Sequence, residues 1–252
     1  MNTLAEKIMS LQDNEQARNL ARFFKTGPGQ YGEGDRFLGV KVPQTRAVVK
    51  ALWRECHFCD IDECLASEYH EVRLAALLTL VQKYRHAKTE KKQQQYCIEF
   101  YLGHLHAVNN WDLVDLSCYE LLGDWLLDKD ASLLYELARN GNTLWEQRIG
   151  IVSTMQFVRH GRLTDTYRIA DLLLDHPHDL IHKATGWLLR EAGKRDAYRL
   201  RSWLALRYPT LPRTLLRYAI EKFPPDERQA WLHGIPKTAV NAGLPLPAGQ
   251  TC

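Results

Sequence analysis

Two side chains of complementary chemistry stand one helical turn apart in the stretch Asn109-Asn110-Trp111-Asp112-Leu113-Val114-Asp115-Leu116. A helix capped by the asparagine pair puts Trp111 and Asp115 on one face and leaves Asp112 in the first turn, where the helix dipole favours an anion. A plainer account fits the same residues: an aspartate near a helix start stabilises it, and a tryptophan belongs to the core.

A second stretch, Ile181 to Lys194, separates its faces clearly. Lys183, Trp187, Arg190 and Lys194 fall on one side at steps of four, three and four residues, while Ile181, Ala184, Leu188 and Ala192 take the side toward a core. A tryptophan ringed by cations suits a nucleic-acid surface, where an indole lies against a base or sugar and the cations take phosphate. The alternative is a fringe of long basic side chains over a half-buried indole. A carboxylate such as Asp115 in a cationic groove would repel phosphate. It makes chemical sense where positive charge develops beside it.

The overall charge hides an asymmetry. Of 252 residues with a net charge of +3, residues 1–140 carry 17 basic and 20 acidic side chains, whereas residues 141–222 carry 14 and 8, eleven of the fourteen being arginine. The planar arginine fork suits phosphate oxygens, so the second half points to a polyanion or, more simply, to a solvated surface.

The elements that must position these residues read as helices almost throughout. Thr3 to Phe24 is expected to be helical with a break near Gln12-Asp13-Asn14, and its apolar stripe includes Leu4, Ile8, Leu11, Leu20, Phe23 and Phe24. The glycine-rich run Gly27 to Asp35 lacks a preceding strand and a Gly-Lys-Ser/Thr sequence, which argues against a nucleotide phosphate loop. Phe37 to Val42 reads as extended, and Pro43 opens a helix to about Cys56. Further helices are expected at about 60–66, 69–86, 89–107, 110–127, 130–140, 143–160, 163–175, 178–194, 195–208, 210–223 and 225–233. Residues 1–234 are read as one domain and 235–252, rich in proline and glycine, as an irregular tail.

Arg73, Trp111, Arg148, Lys183 and Arg217 each stand near the start of a longer helix that follows a shorter one, at steps of 38, 37, 35 and 34 residues. Helix pairs at this period describe an all-α solenoid of the HEAT or armadillo kind, its second helices lining one concave wall. A cation in a helix's first turn opposes the dipole and wants a partner: a carboxylate of the adjoining repeat, or phosphate.

With 45% apolar residues the chain can bury a sizeable core. It has no apolar run long enough to span a membrane and no signal-peptide layout, so a cytoplasmic protein is expected. Six cysteines then read as free thiols. Cys56, Cys59 and Cys64 lack a fourth ligand for structural zinc, and His176, His178 and His182 read as caps or phosphate contacts ahead of a metal site.

Asn110 to Asp115, Leu144-Trp145-Glu146-Gln147-Arg148-Ile149 and Lys183 to Glu191 look like the DNA alkylation repair family, the AlkD-like DNA glycosylases. Phe23 to Gly29 and Phe37 to Pro43 extend the resemblance over nearly the whole chain. The resemblance implies a right-handed HEAT-like superhelix that grips duplex DNA in a concave groove and hydrolyses the N-glycosidic bond of N3- or N7-alkylated purines. It places the catalytic aspartate on Asp115, the sugar-contacting tryptophans on Trp111 and Trp187, and groove arginines on Arg148 and Arg190. With the helix-start cations, the expected DNA-binding set is Arg148, Arg190, Lys183, Lys194, Arg217 and Arg73. An alkylated purine already carries positive charge and leaves readily. What remains is an oxocarbenium-like sugar, suited to a carboxylate and two indole faces, with no cofactor or metal and no need of more than a monomer. Two rivals stand beside this reading: a non-catalytic HEAT protein that binds deformed or branched DNA, and a protein–protein scaffold.

Overall fold

In the computed structural model, residues 3–234 are described; the expected irregular tail at 235–252 lies outside them. The chain divides into two compact units, residues 1–121 and 122–252. Both are helical, and among the described residues the single β-type pairing is an isolated parallel bridge between Arg36 and Tyr69. Helices pack in successive pairs, the pattern of a helical-repeat solenoid.

The first unit is built around one helix. α1 (Thr3–Met9), α3 (Val42–Leu52) and α4 (Phe58–Leu65) pack on α5 (His70–His86), with α6 (Lys91–Gly103) and the short α7 (Trp111–Asp115) against it as well. The run from His70 to Val81 is buried on every side, so α5 is a core helix and not an amphipathic surface one. Local caps define the starts of its neighbours. Asp13 accepts from the backbone N–H of Glu15 and Gln16 to open α2 (Asn14–Phe23), and Asp60 accepts the His57 N–H at the start of α4.

The second unit is centred on α12 (Asp179–Arg195). α8 (Ser132–Asn140) pairs with α9 (Leu144–Val152), and α9, α10 (Thr154–Arg159), α11 (Thr164–Leu172), α13 (Ala197–Arg207) and α14 (Arg213–Ala219) all contact α12. α15 (Pro225–His233) buries Trp231 completely in the same core. The closest crossings depend on missing side chains. A Cβ at Gly186 of α12 would stand 2.5 Å from the Leu215 carbonyl oxygen of α14, and one at Gly150 of α9 would stand 2.7 Å from the Leu134 oxygen of α8. Glycine at these positions lets two helix backbones meet.

Several expected helices are shorter than their periodicity suggested. The segment expected over 110–127 stops at Asp115, turns at Leu116 and Ser117, and continues through a π-helical stretch at Tyr119–Gly123. The Ser117 hydroxyl donates to the Leu113 carbonyl at 2.5 Å while its backbone N–H goes to Val114, so side chain and backbone compete for the same acceptors and the ladder breaks. The 143–160 helix divides at Ser153, and the 89–107 helix ends at Gly103 before a short 3-10 turn at Leu105–Ala107. α2 buries none of its residues, and Phe23, expected in its apolar stripe, is 63% exposed.

Substitutions at two helical glycines separate crossing from propensity. Gly186→Ala gains helix propensity but forces α12 and α14 apart, with an expected net loss of about 1–3 kcal/mol. Gly103→Ala, where an added Cβ meets nothing within 4 Å, is expected to cost nothing or to stabilise by up to about 1 kcal/mol. Urea unfolding of the two variants beside wild type checks both; equal midpoints would contradict the close crossing.

Candidate active site and nucleic-acid interface

α7 is a turn and a half long and cannot hold itself; helices of this length are marginal in isolation. Its start is held by a buried cluster drawn from three places in the first unit. Asn110, fully buried in extended conformation, accepts the Trp111 N–H at 2.9 Å and donates its amide to Asp35 at 3.0 Å. Asp112 accepts the Leu113 N–H with one oxygen and faces His70 Nε2 at 2.9 Å with the other. His70 Nδ1 faces Asp35 at 3.1 Å. On the far side of Asp35, Arg73 forms an ion pair and also donates to Asn109 at 3.1 Å and to the Ser67 carbonyl at 2.7 Å.

The charges in this cluster, Asp35 and Asp112 against His70 and Arg73, balance. Both imidazole nitrogens of His70 face carboxylate oxygens, and with both carboxylates ionised each nitrogen must donate, which makes the ring a cation. Burial by itself pushes the His70 pKa down, but the charge of Asp112, its hydrogen bond and those of Asp35 outweigh it and raise the value to about 9. Burial likewise pushes Asp35 up, and the hydrogen bond from His70, the charge of Arg73 and the amide of Asn110 bring it down to about 2.

Aromatic rings connect the same histidine to the indole. His70 stacks on Phe37 with centroids 4.6 Å apart and lies 5.0 Å from Phe24, and Phe24 stacks on Trp111 at 5.1 Å with planes 16° apart. Phe23 meets Trp111 edge-on at 5.9 Å from its exposed position. The glycine-rich loop fixes this stack. Lys25 takes the left-handed conformation (φ 58°), and a Cβ on Gly32 would stand 2.4 Å from the Phe24 carbonyl oxygen. Glu71, beside His70, accepts the backbone N–H groups of Leu38, Gly39 and Val40 and so secures the extended segment that carries Phe37. Trp111 and Asp115 are both half-buried, neither sunk in the core nor fully in solvent.

In the second unit, α12 shows the two faces its sequence predicts. Ile181, Ala184, Leu188 and Ala192 are fully buried, Lys183, Trp187 and Arg190 half-buried, and Lys194 exposed. Trp187 lines an open cavity of about 510 Å³ with Arg159, Lys194 and Arg195 at its rim and Met155 and Val158 among its apolar walls. The cations carry local partners: Lys183 with Asp179 at 3.4 Å, Lys194 with Glu191 at 2.6 Å, and Arg190 with Glu191 and Glu221. Arg217 is exposed on α14.

Two of the expected DNA contacts are buried. Arg73 and Arg148 are each only 5% exposed. The Arg73 guanidinium is committed to Asp35, Asn109 and Ser67, which makes it the carboxylate-paired kind of helix-start cation. Arg148 donates to the Leu180 carbonyl at 2.5 Å and ties α9 to the beginning of α12. Two of the three histidines act in the turn before α12: His178 Nδ1 accepts the Leu180 N–H, His176 Nδ1 accepts the His178 N–H, and His176 Nε2 donates to Gln147; His182, inside α12, does not cap it. Burial and neighbouring cations hold the pKa values of His176 and His178 below the usual histidine value. No cluster of three metal-ligating side chains occurs among the described residues, where Cys56, Cys59 and Cys64 are free thiols. His70, Asp35 and the Phe24 ring, which organise α7, are the residues that sequence reasoning missed.

The His70 cluster gives stability a definite pH dependence. His70 has a folded pKa raised above its unfolded 6.5, so its contribution is complete below about pH 6.5 and is lost as pH rises through about 9. Asp35, lowered from 3.8 to about 2, contributes above pH 3.8 and loses that contribution as pH falls toward 2. Removing one partner of a buried ion cluster costs about 3–5 kcal/mol. His70→Gln is therefore expected to be less stable than wild type by urea unfolding at pH 6.5, and the gap should narrow toward pH 10; a gap constant with pH would show a neutral imidazole.

The sequence profile of the DNA alkylation repair enzyme family matches residues 4–223. Among solved structures, one described as a predicted DNA alkylation repair enzyme from Enterococcus faecalis shares this fold with a TM-score of 0.66, at 16% identity, over 85% of this chain and 97% of that one. No curated protein matches the chain. The chain belongs to the DNA alkylation repair enzyme family.

Proposed function

We propose that the protein is a monofunctional DNA glycosylase that releases positively charged N3- and N7-alkylated purines from duplex DNA. The observation that carries this reading is the pairing on α7 of a half-buried indole, Trp111, with a carboxylate one turn away, Asp115, on a helix whose orientation is enforced by a buried ion cluster. Membership in a DNA alkylation repair family supports a DNA substrate.

The alkylated base carries its own positive charge, so cleavage of the bond to sugar C1′ leaves the electron pair on the purine and neutralises it without a strong acid. The sugar becomes oxocarbenium-like. Asp115, as an anion, stabilises that charge and orients a water molecule. The water oxygen bonds to C1′, its proton passes to the carboxylate or solvent, and the products are a free alkylpurine and an abasic site. Trp111 presents an electron-rich face to the same cation. The reading needs no cofactor or metal, and a cytoplasmic monomer suffices.

Phosphate contacts in this reading fall to Lys183, Arg190, Lys194 and Arg217, with Arg159 and Arg195 at the same cavity as Trp187. Asp179, the partner of Lys183, is exposed, and an ion pair at the surface is worth about 0–1 kcal/mol, so its exchange for a DNA phosphate costs little; Glu191, the partner of Lys194, is half-buried. Arg73 and Arg148, being buried, hold the framework instead.

Two measurements test the proposal. Single-turnover incubation with methylated duplex DNA should release 3-methyladenine and 7-methylguanine, and Asp115→Asn should slow release by about 10²-fold or more at little cost in DNA affinity. Protein that binds DNA yet releases no base above the spontaneous rate would refute the enzymatic reading in favour of a binding protein. Arg217→Ala should weaken binding uniformly across sequences and reduce the log–log salt slope by about 1; an unchanged slope would remove Arg217 from the interface.

A further inference from the structure

His70 touches no surface from which substrate could be reached, being 1% exposed, yet it contacts the α7 site by two separate routes. Through Nε2 it holds Asp112, which caps the first turn of α7 by accepting the Leu113 N–H. Through its ring it contacts Phe24, tilted by 42° at 5.0 Å, and stacks on Phe37, which in turn stacks on Phe24; Phe24 stacks on the Trp111 indole. One route sets where the helix that ends at Asp115 begins, and the other sets the plane of the indole.

We propose that His70 is a positioning residue for the reaction, a doubly bonded imidazolium whose two carboxylate partners lock the Trp111–Asp115 turn against the reacting sugar. The proposal rests on the glycosylase reading for the identity of the reaction. The charged groups facing the ring are Asp35, from the loop before Phe37, and Asp112, from α7; Arg73, one turn along α5, approaches Asp35 from its other side. Glu71 is turned away to the amides of Leu38, Gly39 and Val40, and Asn110 shares the Asp35 oxygen that His70 uses.

Loss of the proton would leave a ring-nitrogen lone pair facing a carboxylate at about 3 Å, and one of the two tethers would become repulsive. The raised pKa of about 9 keeps this from happening near neutral pH. Positioning matters because small displacements of a reacting group cost large factors in rate: about 1 Å of misplacement costs on the order of 10²-fold.

The test uses the full-length protein as wild type, His70→Gln and Asp112→Asn, at a temperature where circular dichroism shows each fully folded. Expected are DNA affinities within a few-fold of wild type, release of 3-methyladenine slowed by about 10- to 100-fold, loss from His70→Gln of the fall in rate expected of wild type as pH rises through about 9, and displacement of that fall to lower pH in Asp112→Asn, which keeps the ring but removes one of its two carboxylates. Amide hydrogen exchange over residues 111–116, read without any substrate, should be at least about 10-fold faster in both variants. Folded variants with wild-type release and wild-type exchange would overturn the positioning role, as would a His70→Gln variant that keeps the alkaline fall or an Asp112→Asn variant whose fall stays at about pH 9. If wild type itself releases no base, the glycosylase reading fails separately, and the exchange rates still decide whether His70 holds the turn.

Discussion

A protonated imidazole buried between two carboxylates is the constraint on which the α7 site depends. Four charges, those of Asp35, His70, Arg73 and Asp112, are removed from water together, and they balance. Burial of this kind contributes little net stability compared with well-packed apolar residues, because desolvation offsets most of the attraction. Its effect is directional. Each nitrogen and oxygen accepts a narrow range of geometries, so the turn that carries Trp111 and Asp115 has one orientation in place of several. The aromatic stack of Phe37, His70, Phe24 and Trp111 extends that rigidity from the cluster to the half-buried indole.

The arginines and lysines divide by burial into two physical roles. Arg73 sits near the start of α5, where the dipole opposes a cation, and Arg148 midway along α9; each is compensated from within its own unit, by a carboxylate or by a carbonyl. Lys183, Arg190, Lys194 and Arg217 have the opposite setting: their pairs are at or near the surface or, for Arg217, the side chain is open to solvent. Carboxylates such as Glu191 and Glu221 beside these cations keep the protein from carrying concentrated charge there.

Much of this organisation was legible in the sequence because periodicity reports local structure well. The wheel of α12 separates buried Ile181, Ala184, Leu188 and Ala192 from the Trp187 face, and the cap residues place the start of α7 at Asn110. The 34- to 38-residue spacing marks helix pairs, but a longer helix follows a shorter one only at Arg73 (α4 and α5) and Lys183 (α11 and α12); α7 and α14 are shorter than the helices before them, and Arg217 stands in the last turn of α14. What the sequence concealed was long-range or directional. Asp35 and Asp112 reach His70 across 35 and 42 residues, and no local pattern marks a histidine at the head of an apolar helix as a bridge. A cation at a helix start has the same spacing whether its guanidinium turns outward or inward, so Arg73 read as a ligand contact although it is buried. Phe23 was read into a core stripe because hydrophobicity does not say that a neighbouring indole holds the ring at the surface. The break after Asp115 depends on one hydroxyl, that of Ser117, taking an acceptor from the backbone ladder.

The protonation state of His70 is the point at which the account is most exposed. Side-chain ¹⁵N resonances of the assigned His70 ring, followed from pH 5 to pH 10 in the intact protein, measure it directly. Both nitrogens are predicted to remain protonated through neutral pH and to titrate near 9. A neutral ring with one bare nitrogen at pH 7 would mean that the two carboxylates do not hold an imidazolium, and the account of how α7 is fixed would be contradicted.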